Sequence, residues 1–427
     1  MNNFKIASNF VRMSAHERKI PQFMIAAPAS GSGKTTVSIG LMQCLAQRGL
    51  KVQPFKCGPD YIDTKFHQKV CNAPSYNLDS FFAAPDHIRN LYAEHSQNAD
   101  ICIVEGMMGL FDGYSRSRGS AAEIASILNL PVVLVVDAKS TAYSLAPLLK
   151  GFKDFSREVN IIGVIFNKVG SPKHRKMLEE VCQDTGLEAL GFIPKAKEAE
   201  NKSRYLGLDF SAMQMADSAA SLIEGNVNIE RLLSFTEKPV AGISSPPKIK
   251  DSHKVLVARN EESFSFIYQE HLDLWNNVQF FNPEEDKEIP QDIDLLYLPG
   301  GYPEKHLQTL SKCRKTMESI RKFAEGGGKI LAECGGMMYL CKSIIADDGV
   351  YPMCGVIPYS VTARTVDRKL SLGYRSLNIN GREIKGHEFH YTKFTDPQPE
   401  SSVIRIKNTI ASYTHLYWGD KDIFDIF

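Results

Sequence analysis

Several features that mark other classes of protein are missing from this chain of 427 residues. Its 50 basic and 49 acidic side chains give a net charge of +1, so no global attraction for nucleic acid or an anionic membrane is expected. No apolar run approaches the ~18 residues of a membrane span, and the strongest, Pro131–Val136, has the length of a strand. The nine cysteines include no CxxC pair. Their spacing therefore argues against a disulfide framework or a structural zinc site.

The beginning of the chain shows no secretory pattern. The first twenty residues are basic at four positions but contain no apolar segment of the kind found in a signal peptide. With the unpaired cysteines, this predicts a reduced, cytoplasmic protein that binds neither nucleic acid nor membrane. The sequence leaves the oligomeric state open, with a homodimer among the allowed states.

The first half of the chain alternates buried strand-like runs with amphipathic helical stretches, which predicts an α/β fold with a mostly parallel sheet. A helix over Thr35–Arg48 should end at Gly49. The carboxyl ends of parallel strands form one edge of a sheet, where ligands bind. The predicted strands are Gln22–Ala26, Val52–Lys56, Ile101–Glu105, Val132–Val136 and Ile161–Asn167.

A change in composition divides the chain. A proline- and serine-rich stretch predicts a linker over 237–252, between a first domain over 1–236 and a second over 253–427. Lys254–Ala258, Leu295–Leu298 and Lys329–Ala332 begin a second α/β alternation. The last hundred residues have the composition of a more antiparallel region.

A phosphate-binding loop is predicted between the first strand and the first helix. Small residues there let backbone N–H groups turn toward phosphate oxygens at the amino end of a helix. Lys34 would reach the β- and γ-phosphates, and the Thr35 hydroxyl would join Mg²⁺. The alternative is a small-residue turn with a surface lysine. The predicted ATP-binding residues are Ser30, Gly31, Ser32, Gly33, Lys34, Thr35, Thr36 and Asn167.

Carboxylates follow two of the predicted strands. Glu105 ends an apolar strand, where an ionised group is costly unless it meets a cation. We expect Thr35, Asp60 and Glu105 to hold Mg²⁺, which prefers hard oxygen ligands. Asp63 and Asp112 are expected to face a second substrate. Each of these carboxylates has an alternative reading as a residue that caps or forms a turn.

A candidate nucleophile lies in the second half. Cys334 follows the predicted strand at 329–332 and precedes two glycines, as a sharp strand-to-helix turn requires. Such a turn exposes the thiol, and the backbone N–H groups of Gly300, Gly301 and Gly335 could stabilise an oxyanion. The alternative is a buried cysteine without a chemical role.

A cysteine nucleophile requires a base, and three histidines lie downstream. His415 is the favoured base because its distance along the chain leaves room for several strands. His390 is the second candidate and His387 the third. Each histidine has an alternative reading as a satisfied core or surface residue.

Taken together, these segments resemble the cobyrinic acid a,c-diamide synthases, which are glutamine-dependent amidotransferases. The matching motifs follow one another in the family's order across nearly the whole chain. They are Gly31–Thr36, Lys56–Asp63, Glu105–Gly113, Ser203–Leu208, Leu298–Glu304, Leu331–Leu340, Gly386–Tyr391 and Ser412–Trp418.

The resemblance implies two cooperating activities. A dethiobiotin-synthetase-like N-terminal domain would phosphorylate a substrate carboxylate with ATP and Mg²⁺, and a C-terminal class I glutaminase domain would release ammonia. The partners implied are a corrinoid or related tetrapyrrole and glutamine. Tyr61, Asp63, Asp112 and His390 are assigned to the tetrapyrrole substrate.

The sequence differs from the related motifs at two positions, and two alternative functions are considered. Tyr417 stands where the wider class I group has a glutamate that orients the histidine, and Pro28 replaces the first glycine of the phosphate loop. One rival keeps the chemistry but changes the substrate to hydrogenobyrinic acid or nickel-sirohydrochlorin. The other is a non-enzymatic nucleotide switch of the partitioning-ATPase type, which would leave Cys334 and His415 without a role.

Overall fold

The computed structural model describes residues 18–195, 210–243 and 251–427, and it divides them between two α/β halves. The first is built on one large sheet with the strand order β3-β2-β4-β1-β5-β6-β7. All neighbours along this path are parallel, and β8 adds to β1 in the antiparallel sense. The elements are β1 Lys19–Ala26, α1 Lys34–Gln47, β2 Val52–Cys57, α2 Asp63–Cys71, β3 Tyr76–Leu78, α3 Pro85–Ser96, β4 Ile101–Glu105, α4 Ala121–Leu128, β5 Val132–Asp137, α5 Leu145–Phe155, β6 Ile161–Val169, α6 Pro172–Thr185, β7 Glu188–Pro194, α7 Phe210–Asn226, α8 Ile229–Thr236 and β8 Glu237–Pro239.

Burial on both faces explains the apolar runs of this sheet. Residues 132–136 of β5 are at most 2% exposed, because helices cover the sheet from both sides and each face has its own core cluster. The predicted α/β class is therefore confirmed, with α1 beginning one residue before the predicted helix and the strands differing by no more than three residues at either end.

The second half contains a sheet with the strand order β10-β9-β11-β12-β20-β19 and two smaller sheets. The strands predicted at 254–258, 295–298 and 329–332 correspond to β9, β11 and β12. The elements are β9 Asp251–Ala258, α9 Gln269–Leu272, β10 Trp275–Phe281, β11 Leu295–Leu298, α10 Leu307–Leu310, α11 Arg314–Glu325, β12 Ile330–Glu333, α12 Gly335–Leu340, β13 Cys341–Ala346, β14 Gly349–Pro352, β15 Ile357–Thr362, β16 Ser371–Ile379, β17 Arg382–His390, β18 Lys393–Phe394, β19 Val403–Ile406, β20 Thr409–Ser412 and β21 His415–Leu416. Short 3₁₀ turns cover Pro303–Lys305, Thr365–Asp367 and Ile423–Ile426.

Antiparallel pairing dominates the last part of the chain, as predicted. The pairs β13–β14, β15–β18, β16–β17, β17–β21 and β19–β20 are antiparallel. The pairing of β17 with β21 sets His387 opposite His415, so it fixes where the last predicted histidine lies relative to the others.

The segment predicted as a linker begins with β8, whose Pro239 pairs with Lys19 on the edge of β1. Residues 244–250 of that segment lie outside the described part of the chain. The domain boundaries themselves stay a prediction.

Aromatic side chains join the two halves. Tyr417 stacks on Phe82 with ring centroids 5.1 Å apart, and both pack in one core cluster with Tyr268. Polar contacts flank this cluster, since the Tyr374 hydroxyl donates to Asp79 Oδ2 at 2.8 Å. The halves therefore share a continuous core.

Candidate active site

The loop between β1 and α1 has the geometry of an anion-binding turn. Gly31 and Gly33 adopt positive φ of 82° and 96°, a region that glycine enters without strain. A Cβ on Gly33 would lie 2.2 Å from Asn167 Nδ2, so no larger residue fits. The Asn167 amide donates to the Ser32 carbonyl at 3.1 Å, and Ser32 Oγ donates to the Ala29 carbonyl at 2.8 Å. Asn167 thus holds the shape of the loop that the sequence assigned to ATP.

The other predicted ATP-binding residues lie directly after the loop, at the amino end of α1. Lys34 is the first residue of α1 and is 7% exposed, and Thr35 and Thr36 complete the first turn. The backbone N–H groups of a helix's first turn have no intrahelical partners, so they and the lysine form a cationic end for a phosphate.

A buried ionic cluster lies at the carboxyl ends of β2 and β4. Lys56 Nζ lies 2.5 Å from Asp63 Oδ2, 2.9 Å from Glu105 Oε1 and 3.8 Å from Asp60 Oδ2. His67 contacts the other Glu105 oxygen at 2.7 Å. The sequence predicted that Glu105 needs a cation, and Lys56 is the cation it contacts. A lysine near the end of a strand that is buried at every position is the signal that could have identified it.

These contacts set the protonation states of the cluster. Burial alone would raise the pKa of Glu105, but Lys56 and His67 outweigh it, so the pKa falls well below its usual range. Burial would lower the pKa of Lys56, yet Asp63 and Glu105 raise it instead. Burial and the nearby charge of Asp60 raise the pKa of Asp63 to about 6. The cluster therefore holds an ionised Glu105 against a charged lysine.

The predicted magnesium ligands fit the ion's preferences. The Thr35 hydroxyl donates to Glu105 Oε1 at 2.7 Å, so a hydroxyl and a carboxylate already meet beside the phosphate loop. The described residues hold no cluster of three or more His, Cys, Asp or Glu side chains arranged for a metal. Magnesium is commonly held by one or two carboxylates together with phosphates and waters, so a closed cage is not required. Thr35 and Glu105 would hold the ion, with Asp60 nearby.

The residues assigned to the tetrapyrrole substrate lie in different surroundings. Asp63 lies in the ionic cluster, 2.5 Å from Lys56 Nζ. Its neighbour Asp60, which was expected to be a magnesium ligand, accepts from the backbone N–H groups of Ile62 and Asp63, both at 2.9 Å, at the amino end of α2. Asp112 is exposed and accepts from Gly109 N at 3.0 Å. Tyr61, in contrast, is only 6% exposed and points into the second half of the chain.

Cys334 forms the strand-to-helix turn that the sequence predicted, but the prediction that the turn exposes the thiol is wrong, since the residue is only 3% exposed. It lies between β12 and α12 with φ 48° and ψ −108°, a conformation that costs free energy for a residue with a Cβ. Its N–H donates to the Ser412 carbonyl at 2.7 Å, which anchors the turn to β20. Burial raises the pKa of the thiol, and the charge of Glu304 adds to this effect. A base is therefore needed to form the thiolate.

Three glycines bring Cys334 and His415 to the same loop. A Cβ on Gly335 would lie 3.0 Å from Gly301 N, and a Cβ on Gly300 would lie 2.1 Å from His415 Cε1. The loop at 300–301 is thus packed between the amino end of α12 and the histidine ring. The arrangement gathers the predicted nucleophile, base and oxyanion-stabilising glycines.

His415 is buried and neutral. It is 1% exposed, and burial lowers its pKa to about 3, with the charges of His387 and His390 acting in the same direction. Neither ring nitrogen makes a hydrogen bond to a side chain of the described residues, and a weaker interaction with the backbone of Phe266 opposes the fall in pKa. A neutral imidazole can accept a proton, which is the property a general base requires.

The other two histidines lie nearby in different settings. His387 is 8% exposed and opposes His415 across β17 and β21, and burial lowers its pKa to about 4. The ring of His390 stacks on Tyr413 with centroids 3.9 Å apart, and its Nδ1 lies 2.8 Å from the Thr392 carbonyl. His390 is therefore engaged by partners other than His415.

The sequence did not predict a contact between the segment beside the ionic cluster and the site of Cys334 and His415. The ring of Tyr61 lies 4.9 Å from that of His415 and stacks on Phe266 at 5.6 Å. Tyr61 directly follows Asp60, so one short segment runs from the ionic cluster to the histidine. Nothing in the local pattern around Tyr61 reports this contact, because its partners come from the second half of the chain. The predicted motif at 203–208 lies outside the described residues.

Two family models match the chain. Residues 23–208 match the CobQ/CobB/MinD/ParA nucleotide binding domain, and residues 256–423 match the CobB/CobQ-like glutamine amidotransferase domain.

None of the described helices is long and apolar enough to cross a bilayer.

Similar curated proteins cover the chain almost completely. A cobyrinate a,c-diamide synthase of Caldanaerobacter subterraneus subsp. tengcongensis is 37% identical over 92% of this chain and 94% of its own length. A cobyrinate a,c-diamide synthase of Priestia megaterium is 37% identical over 94% of each chain. A hydrogenobyrinate a,c-diamide synthase of Brucella anthropi is 35% identical over 91% of this chain and 93% of its own. With this coverage, and with a nucleotide-binding half joined to a glutaminase half, the chain belongs to the a,c-diamide synthase family of glutamine-dependent amidotransferases.

Proposed function

We propose that this enzyme uses ATP and Mg²⁺ to convert the a and c acetate carboxylates of cobyrinate to amides, with ammonia taken from glutamine. Hydrogenobyrinate is a second candidate substrate, since relatives named for it are 35–36% identical and those named for cobyrinate are 36–37% identical. Nickel-sirohydrochlorin remains a third. A reducing cytoplasm and a homodimer belong to the same proposal, and mass photometry of the purified enzyme tests the dimer.

In the glutaminase half, His415 takes the proton of the Cys334 thiol, and the thiolate attacks the side-chain amide of glutamine. The N–H groups of the loop at 300–301 and of Gly335 stabilise the oxyanion. Ammonia leaves, and water hydrolyses the γ-glutamyl thioester. The burial of His415 keeps the ring unprotonated at neutral pH, as an accepting nitrogen must be, although the same low pKa makes it a weak base before glutamine binds.

In the other half, a substrate carboxylate attacks the γ-phosphate of ATP, which forms an acyl phosphate and releases ADP. Mg²⁺ supplies charge neutralisation to the phosphates when it is bound, and Thr35 and Glu105 would hold it. Lys34 and the loop N–H groups stabilise the charge that develops on the transferred group. The acyl phosphate then carries a good leaving group, which ammonia displaces to form the amide.

The observation that carries the proposal is the contact of Tyr61 with His415, 4.9 Å between ring centroids. A free ammonia molecule and a hydrolysable acyl phosphate would be wasted if they formed far apart in water. Because the segment of Asp60 and Tyr61 borders both centres, ammonia released at Cys334 emerges beside the ionic cluster.

Mass spectrometry of the products tests the substrate. The purified enzyme is incubated with ATP, Mg²⁺ and glutamine, and separately with cobyrinic acid, hydrogenobyrinic acid, sirohydrochlorin or nickel-sirohydrochlorin. We expect two amidations of cobyrinic acid, each lowering the mass by about 1 Da. Two amidations of another macrocycle, with none on cobyrinic acid, would reassign the substrate. ATP hydrolysis without glutamine hydrolysis would favour the nucleotide switch.

A further inference from the structure

The segment after His415 is held through its main chain. Leu416 N donates to Glu333 Oε1 at 3.1 Å, Tyr417 N donates to the Lys385 carbonyl at 2.9 Å, and Trp418 N donates to His271 Nε2 at 2.9 Å. The His415 ring makes no hydrogen bond of normal geometry to a side chain of the described residues, and its polar contact is with the backbone of Phe266. The residues that fix the backbone of His415 therefore contribute strongly to the orientation of the proposed base.

Two of these anchors are joined by buried side chains. The Tyr297 hydroxyl donates to Glu333 Oε2 at 2.9 Å and lies 3.5 Å from His271 Nδ1. Glu333 is 2% exposed, and Tyr297 and His271 are 0% exposed. We call these three residues the β21 clamp.

The direction of the hydrogen bonds in the clamp follows from the backbone. Trp418 N–H can only donate, so His271 Nε2 accepts and its Nδ1 carries the proton of the neutral ring. That proton faces the Tyr297 oxygen, and the tyrosine hydroxyl donates to Glu333. The chain of bonds therefore begins at Trp418 and ends at Leu416, on the two sides of Tyr417.

Glu333 has a second link that the other clamp residues lack. It is bonded covalently to Cys334 and lies opposite Ser412 in the register of β12 and β20. One side chain thus connects the strand that ends at the nucleophile with the residue that follows the base. No lysine or arginine in the described part of the chain pairs with this carboxyl group, and burial raises its pKa to about 8. A core position of this kind would favour an apolar residue if packing were its only function.

We propose that Glu333 is a positioning residue of the glutaminase, and that it sets the place of His415 relative to Cys334 through the Leu416 N–H and the β21 clamp. It would replace the carboxylate that orients the histidine ring in other class I enzymes, since Tyr417 stands at that position here. The inference rests on the proposed pairing of Cys334 with His415.

Glutaminase kinetics of two Glu333 variants test this role. In Glu333→Gln the amide oxygen can still accept from Leu416, so we expect kcat within about threefold of the parent. In Glu333→Leu the Leu416 N–H loses its acceptor, and we expect kcat to fall about 10- to 100-fold, since small displacements of reacting groups cost that much. KM for glutamine should stay within about twofold, because the residue does not touch the substrate.

Amidation driven by ammonium salt reports on the fold in the same samples. It bypasses Cys334, so in Glu333→Leu it should remain near the parent rate. An unchanged glutaminase kcat in this variant would overturn the inference, as would an equal loss of both activities. If Glu333→Leu cannot be purified, Tyr297→Phe removes one clamp bond, and Tyr339→Phe, which removes another fully buried tyrosine hydroxyl outside the clamp, is its control. A several-fold drop in glutaminase kcat for Tyr297→Phe alone supports the clamp, and equal values for both variants contradict it.

Cys334→Ser separates this inference from the function on which it rests. If Cys334→Ser retains glutaminase activity, the proposed catalytic pair is wrong. If Cys334→Ser is inactive while Glu333→Leu behaves as the parent, only the role of Glu333 fails.

Discussion

Tyr61 and His415 belong to different halves of the chain, yet their rings lie 4.9 Å apart at a tilt of 33°. Tyr61 also contacts Phe266 and Tyr268, and it directly follows Asp60 at the edge of the ionic cluster. Its hydroxyl interacts with the hydroxyl of Tyr268. Because the ring makes the contacts with His415 and Phe266, the ring should matter more than the hydroxyl for the passage of ammonia.

Replacement of Tyr61 should change how tightly the two activities are coupled. In Tyr61→Ala we expect several-fold more glutamine hydrolysed per amide formed, because water and ammonia can exchange through the space left by the ring. The cavity should also lower the free energy of unfolding by about 3 kcal/mol. Tyr61→Phe keeps the ring and should match the parent. Parallel assays of glutamate and amide measure the ratio, and an unchanged ratio in Tyr61→Ala would exclude this passage.

Cys334→Ser should abolish glutamine-dependent amidation and leave ammonium-dependent amidation intact. The serine hydroxyl is a far weaker nucleophile beside a neutral histidine, and we expect a loss of at least about a thousandfold in glutaminase kcat. Cys313→Ser, at another buried cysteine, is the control. Loss of the ammonium-dependent reaction as well would mean that the cysteine does more than supply ammonia.

Lys34→Met should abolish amidation and leave the glutaminase activity intact, the reverse of Cys334→Ser. Without the lysine, the charge on the transferred phosphoryl group loses its nearest cation, so ATP-dependent amidation should fall by at least about a hundredfold with either nitrogen source. Glutamine hydrolysis should persist. Lys51→Met changes an exposed lysine and serves as the control. Normal amidation by Lys34→Met would rule out the phosphate loop as the ATP site.

Stability should fall as the pH is lowered below about 6.5. In the folded protein the pKa of His415 is lowered to about 3, whereas in the unfolded chain it is about 6.5, so the unfolded state binds the proton first. Between pH 6.5 and 5.5 this one group should remove about 1 kcal/mol from the free energy of unfolding. His415→Asn should lose that part of the pH dependence. Urea unfolding followed by tryptophan fluorescence measures it, because both tryptophans, Trp275 and Trp418, lie in the second half. An identical pH dependence in the variant would contradict the buried, neutral histidine.

Much of the fold could be predicted because its signals are local. The run at 132–136 is apolar at every position, as a strand covered on both faces must be, and a glycine follows the first helix. The phosphate loop and the turn at Cys334 could be predicted for the same reason, since each combines a strand, small residues and a helix within ten positions or so.

The contacts that complete the site were not predictable in this way. Asn167 supports the carbonyl of Ser32, and Glu333 accepts from Leu416, although the members of each pair are far apart in sequence. In neither pair does the local sequence of one residue indicate its partner, because strand order and packing bring the two residues together. Lys56 was visible in the sequence, but only the fold shows that it neutralises Glu105 and Asp63.

Tyr417 has a consequence for engineering the enzyme. It belongs to the segment that carries the proposed base, yet it stacks on Phe82 and donates to Glu270 at 2.5 Å, within reach of His87 in the first half. A chimera that joins this glutaminase half to the nucleotide-binding half of a relative would have to keep the residues on both sides of that contact. Otherwise the altered packing of Tyr417 would displace the segment that carries His415. The two activities are therefore exchangeable between homologues only as a matched set.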